Sequence, residues 1–178
     1  ITYSLKKMKQ EDREIALKPT QFKVPGSNKM IDLRTLDETD PDVFHTVYYK
    51  EVPLVTGDMD ETIIVTYSPK YKAYQQKIRS RQIDRALKMI QSPGKCRRGK
   101  NQNDPARFIQ KTSITSDGEI ADKSVYELDK ERINEESMYD GLYAVCTDLL
   151  DDEVGGILKV SEGRWQIEAC FRIMKTDF

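Results

Sequence analysis

The chain has 178 residues, 38% of them apolar and 33% charged, and a formal net charge of −1. That length suits one medium domain or two small ones with a real core, and no apolar run approaches the roughly 20 residues of a membrane-spanning helix. The near-zero charge hides a segregation: residues 67–111 hold 13 Lys/Arg against 2 Asp/Glu, whereas residues 112–178 hold 7 against 16, which excludes a uniformly solvated surface.

The opening residues carry no charged-then-apolar leader, so nothing in them suggests secretion. A β-favouring stretch starts at Ile1, with no Met before it, and reads as an internal piece of a longer chain. Ile1 to Leu5 forms the tail of a strand, Lys6 to Leu17 a helix blocked by Pro19, and Val24 to Asn28 a turn. Asp37 to Asp42 is an acidic loop. Phe44 to Glu51 and Thr62 to Tyr67 read as strands, joined by a hairpin-like connection over Val55 to Asp60.

Ser68-Pro69 opens a helix, with Ser68 as N-cap and Pro69 at the first helical position. It runs to Gln91, where Ser92-Pro93-Gly94 stops it. Tyr71, Tyr74 and Ile78 share one face, while Ile83, Leu87 and Ile90 lie about a third of a turn round, so a bend or packing on two sides is expected. Residues 95–105 are a basic loop, Phe108 to Ile114 a strand, Ser116 to Gly118 a turn, and Asp129 to Glu136 a short helix. Gly141 to Thr147 is the clearest strand. Helices over about Asp151 to Val160 and Arg164 to Lys175 close the chain.

Cys96, Cys146 and Cys170 lie far apart with no CxxC pair, which fits reduced thiols in a cytoplasmic setting. With His45 the one histidine, no zinc ligand set forms. His45 sits in a β-like run and reads as a core histidine. Cys146 and Cys170 read as buried thiols.

On the last helix, Arg164, Glu168, Phe171 and Lys175 fall within an arc of about 60°. One carboxylate is thus held between two cations, while Ile167, Cys170, Ile173 and Met174 cover an adjacent, buriable face. A carboxylate so placed suits Mg²⁺, which takes one or two protein carboxylates with waters and phosphate, and the flanking cations suit phosphates. On spacing alone, the commoner reading is an i,i+4 surface pair worth a few tenths of a kcal/mol.

The string Gly163-Arg-Trp-Gln-Ile-Glu168 and the trailing Phe171-Arg-Ile-Met-Lys175 resemble the third-acid signature of bacterial insertion-sequence DDE transposases, Y-x2-R-x3-E-x6-K. Asp140 to Thr147 resembles the strand before the glutamate helix, Tyr67 to Arg85 a basic helix upstream of it, and Ile1 to Lys7 the strand after the second aspartate. The resemblance is specific from about Asp140 onward, and Ser161 stands at the motif's tyrosine position.

The resemblance implies an α+β fold: a partial RNase H-like core (edge strand, strand and Glu-bearing helix) with a β-rich insertion containing one long helix. Residues 1–17 and 138–178 would belong to the core. Residues 18–137 would be the insertion, with the basic helix 69–91 and the basic loop 95–105. It implies cutting and joining of DNA ends with Mg²⁺ or Mn²⁺, Glu168 being the catalytic and metal-binding third acid. Arg164 and Lys175, with Trp165 beside them, would contact duplex transposon ends, in a homodimeric synaptic complex at the nucleoid. Both catalytic aspartates would lie before Ile1, so the fragment alone is expected to be inactive and to hold no metal. No membrane or small-molecule substrate is implied.

The basic segment has its own physical reading. Cations on phosphates release counterions and give salt-dependent, sequence-independent affinity. Lys95, Arg97, Arg98 and Lys100 suit a backbone-following loop, extended by Arg79, Arg81 and Arg85, so a non-catalytic DNA-binding module is the alternative. Tyr71, Tyr74 and Trp165 suit stacking on an unpaired base, though core packing is the more ordinary role for such tyrosines. The acidic stretch Glu127 to Asp140 reads as a solvated helix face, and a protein-interaction domain pairing its basic and acidic segments between subunits is a third possibility.

Overall fold

Residues 63–67, Ile-Ile-Val-Thr-Tyr, are buried without a break. A β-branched run covered on both faces makes a central strand, and it sets the architecture. In the computed structural model, which describes residues 2–56, 59–92, 103–114, 123–161 and 163, it belongs to strand β3 (Met59–Tyr67). Strands β1 (Thr2–Tyr3), β2 (Tyr48–Thr56) and β6 (Leu142–Thr147) join it in a four-stranded sheet of order β1-β6-β3-β2. All its pairings are antiparallel, with Ile64 opposite both Glu51 and Val145. β4 (Ile109–Ile114) and β5 (Lys123–Leu128) pair separately, Ile109 opposite Leu128.

The described helices are α1 (Gln10–Leu17), α2 (Pro41–His45), α3 (Pro69–Ile90), α4 (Lys130–Ser137) and α5 (154–161). The fold is therefore α+β. None of these helices is long and apolar enough to cross a membrane. The chain divides by packing into two units, residues 1–71 with 141–178, and residues 72–140. The segments 1–17, 18–137 and 138–178 expected from the resemblance cut the chain differently, and the sheet draws strands from each of the three.

In the first unit, β2 alternates as a half-covered edge strand should: Tyr48, Lys50, Val52 and Leu54 are buried, whereas Glu51 and Pro53 are exposed. Pro53 is tolerated because an edge strand leaves one row of N–H groups unpaired. The buried face also presents Val65, Ile63, Ala144 and Cys146 through the pairing register. Lys50, buried among them, donates from Nζ to the carbonyls of Ile15 and Lys18, each at 2.6 Å, and lies 4.6 Å from the centre of the Phe22 ring. It thereby caps the end of α1, where the Ile15 carbonyl also accepts from the Lys18 N–H at 3.3 Å. Burial, reinforced by the Lys18 charge, lowers its pKa to about 8.

Helix α3 opens at the end of the first unit's residues, where Ser68 Oγ accepts from the Tyr71 N–H at 3.3 Å, the expected N-cap. The second unit is built on the rest of that helix. Ala86, Phe108 and Ile109 are buried, and Ile83, Met89, Ile90, Tyr126, Leu128 and Ile133 pack around them. Leu87 is 43% exposed. The helix thus packs on one side and not on two. Asp104 and Asp129 cap the 3-10 turn Pro105–Phe108 and α4 through the N–H groups of Ala106 and Arg132.

Three local expectations change. Phe44 and His45 close helix α2 and do not open a strand, because Asp40 accepts from the Asp42 N–H and Pro41 stands at the first helical position. His45 is exposed, its ring edge-on to Phe44 at 5.3 Å, so it is not a core histidine. Residues 5–7 form a 3-10 turn ahead of α1, so the helix predicted from Lys6 starts at Gln10.

Candidate nucleic-acid interface

Helix α3 holds seven Lys/Arg and one acid, Asp84. At 100° per residue, Lys70, Tyr74, Lys77, Arg81, Arg85 and Lys88 fall within about 80° of one another. All six are exposed. The stripe runs about 27 Å along the helix at 1.5 Å per residue. None of its five cations forms an ion pair with a described residue. Tyr71, Tyr74 and Ile78 continue round one edge of it and are 39%, 60% and 37% exposed. Core packing of the two tyrosines is therefore not what the structure shows.

The opposite side of α3 carries Arg79, Gln82, Ile83, Ala86 and Ile90, and it faces the apolar cluster. Arg79 grips Asp140 with both terminal nitrogens, Nη1 donating to Oδ1 at 2.7 Å and Nη2 to Oδ2. The side chains are only 13% and 7% exposed. The Asp140 carboxylate holds the guanidinium charged, raising its pKa. Arg107 makes the second strut. It donates from Nε and Nη2 to Glu136 at 3.0 and 3.1 Å and from Nη2 to Gln82 Oε1 at 2.6 Å, and stacks 4.0 Å over the Phe108 ring.

Sequence position alone groups Arg79, Arg81 and Arg85 as one patch, and the structure separates them. Arg81 and Arg85 stand on the exposed stripe, while Arg79 is a buried strut. Lys70, Lys77 and Lys88, which the sequence reading left out, complete the stripe. The signal was present in their spacing of 7, 4, 4 and 3 residues with Arg81 and Arg85, which is helical periodicity applied to charge.

The acidic stretch 127–140 divides similarly. Glu127, Glu131 and Glu135 are exposed, whereas Glu136 and Asp140 are half-buried partners of the two struts. Cys146, half-buried in β6, donates from Sγ to Glu61 Oε2 at 3.5 Å, and burial followed by the Glu61 charge raises its thiol pKa. Such a thiol is held protonated, the opposite of an activated nucleophile.

Arg164, Trp165, Glu168 and Lys175, and the loop cations Lys95, Arg97, Arg98 and Lys100, lie outside the described residues, as does Cys170. Among the described residues no group of three His, Cys, Asp or Glu side chains converges to hold a metal ion. No family model, no curated protein and no solved structure matches the chain.

Proposed function

We propose that this chain is the glutamate-bearing part of a DDE-type DNA transposase with an RNase H-like core, and that it holds DNA through the exposed face of α3. The observation that carries DNA contact is that stripe. Lys70, Lys77, Arg81, Arg85 and Lys88 present five cations along about 27 Å of a helix pinned from behind. A row of like charges repels itself, and the regularly spaced phosphates of a nucleic-acid backbone neutralise it over its length. The assignment to transposition rests on Arg164, Glu168 and Lys175 at their family spacing.

In this reading Glu168, with two aspartates encoded upstream, would hold Mg²⁺ or Mn²⁺, which would supply an activated nucleophile and stabilise the leaving oxygen. Arg164 and Lys175 would fix end phosphates beside it, and the α3 stripe would add sequence-independent grip. In the longer chain carrying both aspartates, Glu168→Ala should abolish metal-dependent strand transfer of a labelled end duplex while leaving its binding within twofold. Strand transfer that survives the substitution sinks the assignment. The stripe needs neither metal nor Glu168, which favours the second reading, a non-catalytic DNA-binding module. Strand transfer lost on Glu168→Ala would exclude it.

A further inference from the structure

We infer that α3 binds nucleic acid with an unpaired segment, the stripe taking phosphates and Tyr74 taking the face of an unstacked base. This deepens, and rests on, the DNA-binding reading above.

Three observations place an aromatic platform inside the charged surface. Tyr74 is 60% exposed, although no phosphate contact needs an exposed ring. It lies within the basic arc, one turn from Lys70, Lys77 and Ile78, so a chain following the cations passes over it. Tyr71 and Ile78, at 39% and 37% exposure, border it on one side and form an apolar shelf continuous with the ring. In a duplex, base faces are hidden by stacking, so such a shelf meets only sugar and groove edges. In a single strand every base offers a π face, and aromatic stacking adds sequence-tolerant affinity to the electrostatic term. A frayed, gapped or tailed DNA presents both elements together.

The test uses the 178-residue chain and fluorescence anisotropy with a labelled 15-nucleotide single strand and a blunt duplex of the same length. Tyr74→Ala should weaken single-strand binding at least fivefold and duplex binding less than twofold. Tyr74→Phe, which keeps the ring, should stay within twofold on both. Tyr74 is exposed on a helix and Ala is the best helix former, so the variant keeps the fold; circular dichroism checks this. Equal losses on both ligands, or no loss on either, overturn the inference while the stripe's salt-dependent grip stands. If neither DNA binds at low salt, the proposed function fails with it. Tight binding to vesicles containing anionic phospholipid that single-stranded DNA cannot displace also overturns it, by assigning the shelf to a lipid surface.

Discussion

The two faces of α3 use the same residue types for opposite ends. Behind the helix, Arg79 is desolvated and locked to Asp140, and Gln82 receives Arg107, so charge serves cohesion. In front, Arg81 and Arg85, two and six positions along, remain exposed with Lys70, Lys77 and Lys88. The difference lies in helix phase alone: two residues rotate a side chain by about 200°. A charged residue's role in this chain is therefore decided by the side on which it emerges, and counts over a segment average that away.

The two units differ in the same spirit. The first is an apolar sheet core in which the buried cation Lys50 is satisfied by carbonyls. The second has a smaller apolar cluster braced by two ionic struts. Phe108→Ala removes the largest buried side chain of that small cluster and the surface on which Arg107 stacks. It should cost about 3–4 kcal/mol, read from denaturant midpoints, and a loss below about 1 kcal/mol would mean the cluster does not hold the unit. Asp140→Ala strands the Arg79 charge against the helix and should cost about 2–3 kcal/mol. Hydrogen exchange should then rise over residues 72–140 more than over the sheet, and the reverse order would break the division into two units.

In the first unit the expected effect is smaller and follows pH. The Lys50 ammonium has its pKa near 8, below the ordinary lysine value of 10.5, so between these pH values the unfolded chain binds more protons than the folded one. Stability should rise from pH 8 to pH 10 by about 1–2 kcal/mol, and the Lys50-dependent slope should fade below about pH 7, where both states hold the proton. Above pH 10 the trend reverses, because burial raises the pKa values of Tyr48 and Tyr49 and the unfolded chain loses those protons first. Lys50→Met should flatten the rise. A rise that persists in Lys50→Met would place its source elsewhere.

Much of this organisation was legible in the sequence. Ser68-Pro69 marked the start of α3, and the β-branched and aromatic runs marked β3, β4 and β6, because caps and alternation act locally. Strand β5 was not, for Lys-Ser-Val-Tyr-Glu-Leu pairs only through β4, a long-range contact. Phe44 looked like strand because its apolar neighbours outweighed the Asp40-Pro41 cap. The stripe itself was legible but unread: a local charge excess drew attention to a segment, while the phase of each cation carried the information. The struts were not legible, since Asp140 lies 61 residues from Arg79 and no local rule joins them.

The most direct test of the central claim, that the front of α3 grips a nucleic-acid backbone, is the salt dependence of duplex binding by Lys77→Ala/Arg81→Ala/Arg85→Ala. Each lost phosphate contact should flatten the slope of log K against log salt by about 0.9, so the triple variant should lose about 2.7 of it. Its denaturant midpoint should hardly move, since all three side chains are exposed. A slope equal to that of the unsubstituted chain would contradict the account and move whatever grip there is to other cations of the chain.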